Sequence, residues 1–394
     1  MGKVLIKNGN LIDGRSDELQ KNVDILINQG LIESVSNDSI SVDDDTKIID
    51  AAGRTVLPGL FDCHVHLMWT GSTQPAAEVG NELDTYVAIK ASEIARRFLR
   101  LGVTTVRDAG SRGTTVISLA RAVRDKLTIG PRVVTCGPFI CMTGGHCWDA
   151  GIEADGADET RKKARKLLRD HPDLGFLKIM ATGGMYGADE DPGSPQYTLE
   201  EIRPIVEEAH KQGKKVASHA QGIIGIRNSL DAGVDSIEHG IYADDNALDR
   251  MARDGTYLVP TMIAMLAYAE GEGSLPPNLV AKGKRVVDAH FKMLQKAIEK
   301  GVTIATGTDI GGRNKPPEVY FRELDIMEEA GMSRMDVIKS STSIAAQCCG
   351  LDNLGIIEAG YLADIIVVNG NPLEDLKNLQ NLEAIIKDGE IIKR

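Results

Sequence analysis

The sequence predicts an α/β protein, a (β/α)8 TIM barrel carrying a small β-sandwich domain built from both termini. Three observations predict it. Through the middle of the chain, short apolar runs alternate with segments of helical composition, the pattern of parallel βαβ units. Both ends have another texture, β-branched runs divided by polar and glycine turns. Histidines and an aspartate close several of the central runs, where a barrel gathers its functional groups.

In chain order, residues 1–56 read as β structure. Aliphatic runs at 3–7, 23–27, 31–35 and 47–49 are separated by turns such as Asn8-Gly9 and Asn28-Gln29-Gly30. Eight apolar strands follow, at 57–67, 104–109, 132–136, 176–182, 215–220, 235–239, 257–262 and 303–309. Between them, 157–169, 199–212 and 280–300 have helical spacing, and Thr198-x-x-Glu201 reads as a capping box opening its helix. The tail returns to β texture at 363–368 and 384–391. Neither end has enough strands for its own core, and chain ends often lie close together. One domain of 1–56 with 346–394 is the economical solution, leaving 57–345 for the barrel. An open doubly wound sheet is the alternative, but no glycine-rich dinucleotide fingerprint follows the first central strand.

Composition narrows the function classes. The 394 residues suffice for a large core, and a formal charge of −12 argues against a nucleic-acid binder. No stretch approaches ~18 apolar residues, so no membrane span is expected. The first apolar run is broken at once by Lys7-Asn8-Gly9-Asn10, unlike a secretory signal. Cys63, Cys136, Cys141, Cys147, Cys348 and Cys349 form no C-x-x-C pair and are expected to be reduced thiols of a cytoplasmic protein.

The chemistry starts at Asp62-Cys63-His64-Val65-His66. A strand puts both imidazoles on one face with Asp62 and turns Cys63 to the other, which excludes it as a ligand. Two histidines so placed grip a metal ion or form a hydrogen-bonded pair at a strand end. Further ligands decide between these. His219 closes the fifth strand, His239 the sixth and Asp309 the eighth, each a residue type suited to a divalent transition metal. Four histidines and an aspartate at the strand ends of one barrel are hard to explain as packing. Lys178 lies mid-strand in Phe176-Leu177-Lys178-Ile179-Met180. It can snorkel to the rim, pair with a carboxylate, or be buried with a depressed pKa.

With these residues in order on strands one, four, five, six and eight, the chain resembles the amidohydrolase superfamily. The stretches 57–66, Thr143-Gly144-Gly145-His146, 178–184 and Gly360-Tyr361-Leu362-Ala363-Asp364-Ile365 are similar to one branch of it. That branch holds Xaa-Pro dipeptidases, arginine and lysine dipeptidases, ochratoxin-hydrolysing amidases and imidazolonepropionase. Lys178 favours the two-metal members. The resemblance implies that His64, His66 and Asp309 hold the more buried ion, that His219 and His239 hold the other, and that carboxylated Lys178 bridges both. Zn2+ is the expected ion for imidazole-rich ligation, with manganese and cobalt open.

The implied reaction is hydrolysis of a small amide or peptide bond by a metal-bridging hydroxide, Asp309 taking the proton and handing it to the leaving amine. In the resembling dipeptidases the position of His146 reaches the substrate's carbonyl or carboxylate. Tyr242, just past a ligand, is the next candidate, as a phenol donor to a carboxylate or as a rim aromatic packed on its loop. The expected substrate is an Xaa-Pro dipeptide. Alternatives are another N-acyl amino acid such as an ochratoxin-like amide, an Xaa-Arg or Xaa-Lys dipeptide, a cyclic amide or deaminase substrate, or a dead scaffold. A homo-oligomer is also implied. Arg107 and Asp108 are expected to pair or to support the layer below the metals. Residues 185–193 form a polar loop fit to be a lid, whose acidic run reads as solvated.

Overall fold

The computed structural model describes residues 2–80, 82–187 and 190–393. Strands from both ends pair into one eight-stranded sheet. Ile365–Asn369 lies at its centre, antiparallel to Arg54–Pro58 on one side and to Leu382–Lys387 on the other. Arg54–Pro58 runs parallel to Val4–Leu11, which pairs antiparallel with Gln20–Asn28. Alternation assigns the faces. Ile365 and Val367 join Val4, Ile6, Val23 and Ile25 in the core of this domain, while Ile366 and Val368 pack into the barrel core. A strand buried on both faces is apolar at successive positions, which explains the unbroken run Ile365-Ile366-Val367-Val368.

Seven parallel strands form most of the barrel: Leu60–Val65, Val103–Asp108, Arg132–Thr135, Phe176–Met180, Lys215–Ala220, Ser236–His239 and Tyr257–Val259. The first strand, expected at 57–67, is two elements. Leu57 and Pro58 belong to the terminal sheet, and the chain changes sheet at Gly59, where a Cβ would lie 2.2 Å from Thr104 Oγ1. The third strand also breaks, Arg132–Thr135 pairing with strand two and Ile140–Cys141 with strand four. The eighth, expected at 303–309, forms only isolated bridges, Ile304 to Leu258 and Ile310 to Val65. It still closes the ring, through the Cys63 N–H to the Thr306 carbonyl (2.8 Å) and the Asp309 N–H to the His64 carbonyl (2.7 Å). The irregularity has a local cause: Asp309 has a φ of 58°, outside the range of a β ladder.

Helices cover the barrel. Leu199–His210 opens with the capping box of Thr198 and Glu201, and Gly156–Asp170 and Pro277–Glu299 fill the other anticipated positions. Among the described residues no helix is long and apolar enough to cross a membrane.

Candidate metal centre

The strand ends bring His64, His66, Lys178, His219, His239 and Asp309 onto the wall of one cavity. The His64 ring centroid lies 5.3 Å from that of His66 and 5.0 Å from that of His239, which lies 4.6 Å from His219. One nitrogen of each imidazole is already engaged. His64 Nδ1 donates to Glu238 Oε2 (2.7 Å) and His66 Nδ1 to the Gly110 carbonyl (2.9 Å). His219 Nε2 donates to the Gly183 carbonyl (3.1 Å). His239 Nδ1 donates to Thr261 Oγ1 (2.6 Å), whose own proton goes to the Pro260 carbonyl. These acceptors fix each tautomer and leave a lone pair on the other ring nitrogen, the arrangement that metal ligation requires.

Asp309 divides its two oxygens. Oδ1 lies 3.7 Å from His64 Nε2 and 3.4 Å from His66 Nε2, and Oδ2 accepts from Lys315 Nζ. Ligand atoms of His64, His66 and Asp309 all lie within 4.8 Å of one another. His239, Thr261 and Asp309 have φ of 72°, 52° and 58°, a left-handed conformation costing a non-glycine residue ~1 kcal/mol or more. His239 and Asp309 line the cavity and Thr261 holds His239, so the strain is gathered at the site.

Burial sets the protonation states. It pushes His64 down to about 3, Lys178 adding to the shift and Glu238 opposing it. His219 and His239 are held well below the ordinary histidine range, chiefly by burial. All three stay neutral, the state in which an imidazole can hold a metal ion. Lys178 is 1% exposed and its Nζ has no hydrogen-bond partner among the described residues. It neither reaches the rim nor pairs with a carboxylate, and burial lowers its pKa.

Beneath the histidines lies a layer that the chain pattern only half discloses. Glu238 is fully buried; desolvation would raise its pKa, but Arg107 and His64 hold it low. Arg107 donates to Glu238 Oε1 (2.7 Å), the Cys63 carbonyl (2.6 Å) and Ser236 Oγ (3.2 Å). It does not pair with Asp108, which instead accepts from the Leu67 N–H (2.9 Å) and Thr135 Oγ1 (3.1 Å). Cys63 points away from the histidines, its Sγ 3.8 Å from that of Cys349.

His146 lines the cavity with its ring stacked 4.2 Å from that of His219. A Cβ on Gly184 would fall 2.4 Å from His146 Cε1, so glycine there makes room for the ring. His146 Nδ1 bonds Glu190 Oε2 (3.0 Å). Burial would raise Glu190, but His146 brings it down to about 2. The acidic run after strand four is therefore not wholly solvated: Glu190 turns inward, while Ala188 and Asp189 lie outside the described residues. Tyr186 in the same loop stacks on Trp69 at 5.7 Å and donates to Asp149. Tyr242 stands one layer out. It packs beside Met185, Ile241 and Met265 without lining the cavity, and its N–H bonds the carbonyl of Gln221, which does line it. Trp69, Tyr186, Arg313 and Lys315, all on the wall, carried no signal in the sequence because their loops have no period to read, and Tyr268 joins them from the helix Met262–Ala269.

The fold and these residues define a class. A model of the Amidohydrolase family matches residues 55–392, and the chain belongs to that family. It is a hydrolase of amide carbon–nitrogen bonds. Ochratoxinase of Aspergillus niger is 31% identical over 99% of this chain and 86% of its own length. A Xaa-Pro dipeptidase solved with bound methionine in its active site is 35% identical, with a TM-score of 0.92 over the whole of both chains. A prolidase solved with N-methylphosphonate-L-proline is 28% identical, with a TM-score of 0.92 over the same full coverage.

Proposed function

We propose that the chain is a two-metal hydrolase of dipeptides with a free carboxylate, Xaa-Pro dipeptides first among them. One observation carries the two-metal reading: Lys178 is a buried amine with no hydrogen-bond partner among the described residues, on the wall that the four imidazoles share. A neutral amine reacts with carbon dioxide to give a carbamate, a carboxylate analogue that two cations can share. His64, His66 and Asp309 would hold one cation, His219 and His239 the other, and carboxylated Lys178 both. Such ions supply an acidified water and a Lewis acid for the substrate carbonyl, and Zn2+ suits this donor set.

The chain's own residues do the rest. Asp309, its Oδ2 pinned by Lys315, is the carboxylate that takes a proton from the attacking water and passes it to the leaving nitrogen. His146, oriented through Nδ1 by Glu190, offers Nε2 to the substrate's carbonyl or carboxylate. Tyr242, one layer behind the wall, supports the strand-six loop, its N–H holding the carbonyl of the cavity residue Gln221. Trp69, Tyr186 and Met265 limit water on the cavity wall.

Full-length similarity to a Xaa-Pro dipeptidase and a prolidase supports the substrate, and similarity to ochratoxinase supports an N-acyl amino acid as the second reading. Six free thiols support a cytoplasmic location, and assembly as a homo-oligomer is open to sedimentation. The test is amine release from Xaa-Pro, Xaa-Arg and N-acyl amino acids side by side, with metal analysis of protein purified without added metal. Turnover of Xaa-Pro, two metals per chain, and loss of both in Lys178→Ala are expected. Near-normal activity of Lys178→Ala with fewer than two metals would sink the two-metal reading. Turnover confined to N-acyl amino acids would move the substrate to the second.

A further inference from the structure

A second cavity lies at the opposite rim of the barrel, where strands four and five begin. It is framed by the helix Thr115–Arg124, strand three and the turn at Lys387-Asp388 of the terminal sheet. It measures about 630 Å³, within the ~300–1,000 Å³ of small-molecule sites. Lys215 opens the strand on which His219 lies four residues on, so ~13 Å separate the two sites along it. Buried Ile117, Val123, Val134 and Leu174 give the cavity an apolar floor. Seven of the nine charged residues on its wall are lysine or arginine, in a chain whose formal charge is −12. A cleft lined by one sign of charge concentrates ions of the other.

The counter-charges are too few. Arg121 and Arg124 both donate to one oxygen of Asp173, Oδ2, at 3.2 and 3.1 Å. Arg132 and Lys387 share Asp388, with Asp364 a second acceptor for Arg132. Lys215 donates to the Gln347 carbonyl (2.6 Å) and lies over the Tyr257 ring, and it makes no ion pair among the described residues. The Lys214 amine has no partner among them. The side chains of Arg121 and Arg124 are 47% and 58% exposed, so a dissolved ion reaches both. Exposed ion pairs contribute little to stability, so an incoming polyanion displaces Asp173 at small cost.

We infer that this cavity binds a small anion carrying several phosphates, free or as part of a nucleotide. A single carboxylate satisfies one guanidinium, whereas a run of phosphates meets the arginines and lysines together. The planar guanidiniums of Arg121 and Arg124 suit phosphate oxygens, Lys214 and Lys215 add point charges, and the floor accepts an apolar ring.

Calorimetry of the metal-loaded protein, with magnesium in excess, tests this with inorganic triphosphate, ATP and adenosine. Triphosphate and ATP should each bind once per chain and more weakly as salt rises, with adenosine at least ~10-fold weaker than ATP. Binding should weaken ~10-fold or more in the double variant Arg124→Gln with Lys214→Gln, and tighten in Asp173→Asn, with melting checked for each. ATP binding tighter than triphosphate identifies a nucleotide as the ligand, and equal affinities identify the phosphates alone. No binding of either, or adenosine binding as tightly as ATP, overturns the site. So does binding that the double variant leaves unchanged, because phosphates held at the metal centre would not respond to Arg124 and Lys214.

Discussion

Glu238 is a carboxylate with two duties, orienting His64 and neutralising Arg107, both fully inside the protein. Glu238→Gln should weaken metal binding about 10- to 100-fold, as loss of a ligand's hydrogen-bonded partner does. It should also leave Arg107 buried without a counter-charge, at a cost of ~3–5 kcal/mol. Chelator competition reads the first and urea denaturation of metal-stripped protein the second; unchanged values in both would mean that Glu238 only fills space. His146→Ala should lower kcat/KM by about 10²-fold if its Nε2 meets the reacting group. A change within twofold would remove it from the chemistry. The residues read from the sequence are those for which strand alternation is a reliable guide: His64 and His66 two apart, and Lys178 inside an apolar strand. Glu238 escaped because alternation turns it away from its neighbour His239. The left-handed backbone at His239 breaks that rule, so both side chains serve one interior.

At the scale of elements, the helix Met262–Ala269 follows strand seven and gives the cavity Met265 and Tyr268. Its first residue is preceded by Thr261, a good capping type whose hydroxyl is taken by His239 and the Pro260 carbonyl. Glu323, from the helix Tyr320–Glu329, caps it instead, accepting from the Met262 N–H (2.9 Å) and the Ile263 N–H (2.7 Å). Burial raises Glu323 from 4.5 to about 8, against those two hydrogen bonds. The folded state therefore keeps a proton that the unfolded state releases, and stability from this group falls as pH rises from 4.5 toward 8. The stability advantage of wild type over Glu323→Gln should shrink between pH 5 and pH 8 in urea melts. A constant gap would show that Glu323 titrates normally. Nothing in the sequence announces this cap, because its partners are 60 residues apart and lie on different helices. Element boundaries failed for similar reasons. The sheet change at Gly59 and the break after Thr135 are settled by which neighbour each backbone meets.

For the whole molecule, the joining of both ends was legible because neither end has strands enough alone. The central place of Ile365–Asn369 was not, since an apolar run does not name its partners. That place makes a prediction. Ile365 faces the core of the terminal domain and Ile366 that of the barrel, so alanine at either position should cost ~2–5 kcal/mol. A strand with one wet face would show the loss at only one of them. Equilibrium denaturation of the two variants separates the cases.

The same strand sets a timetable for synthesis. Arg54–Pro58 leaves the ribosome about three hundred residues before the strand that must lie against it. At the usual ~5–20 residues per second, that is roughly 15 to 60 s with an aliphatic edge bare. Over that interval the nascent chain is a natural client for a chaperone, and a pause late in the message would lengthen its exposure to aggregation.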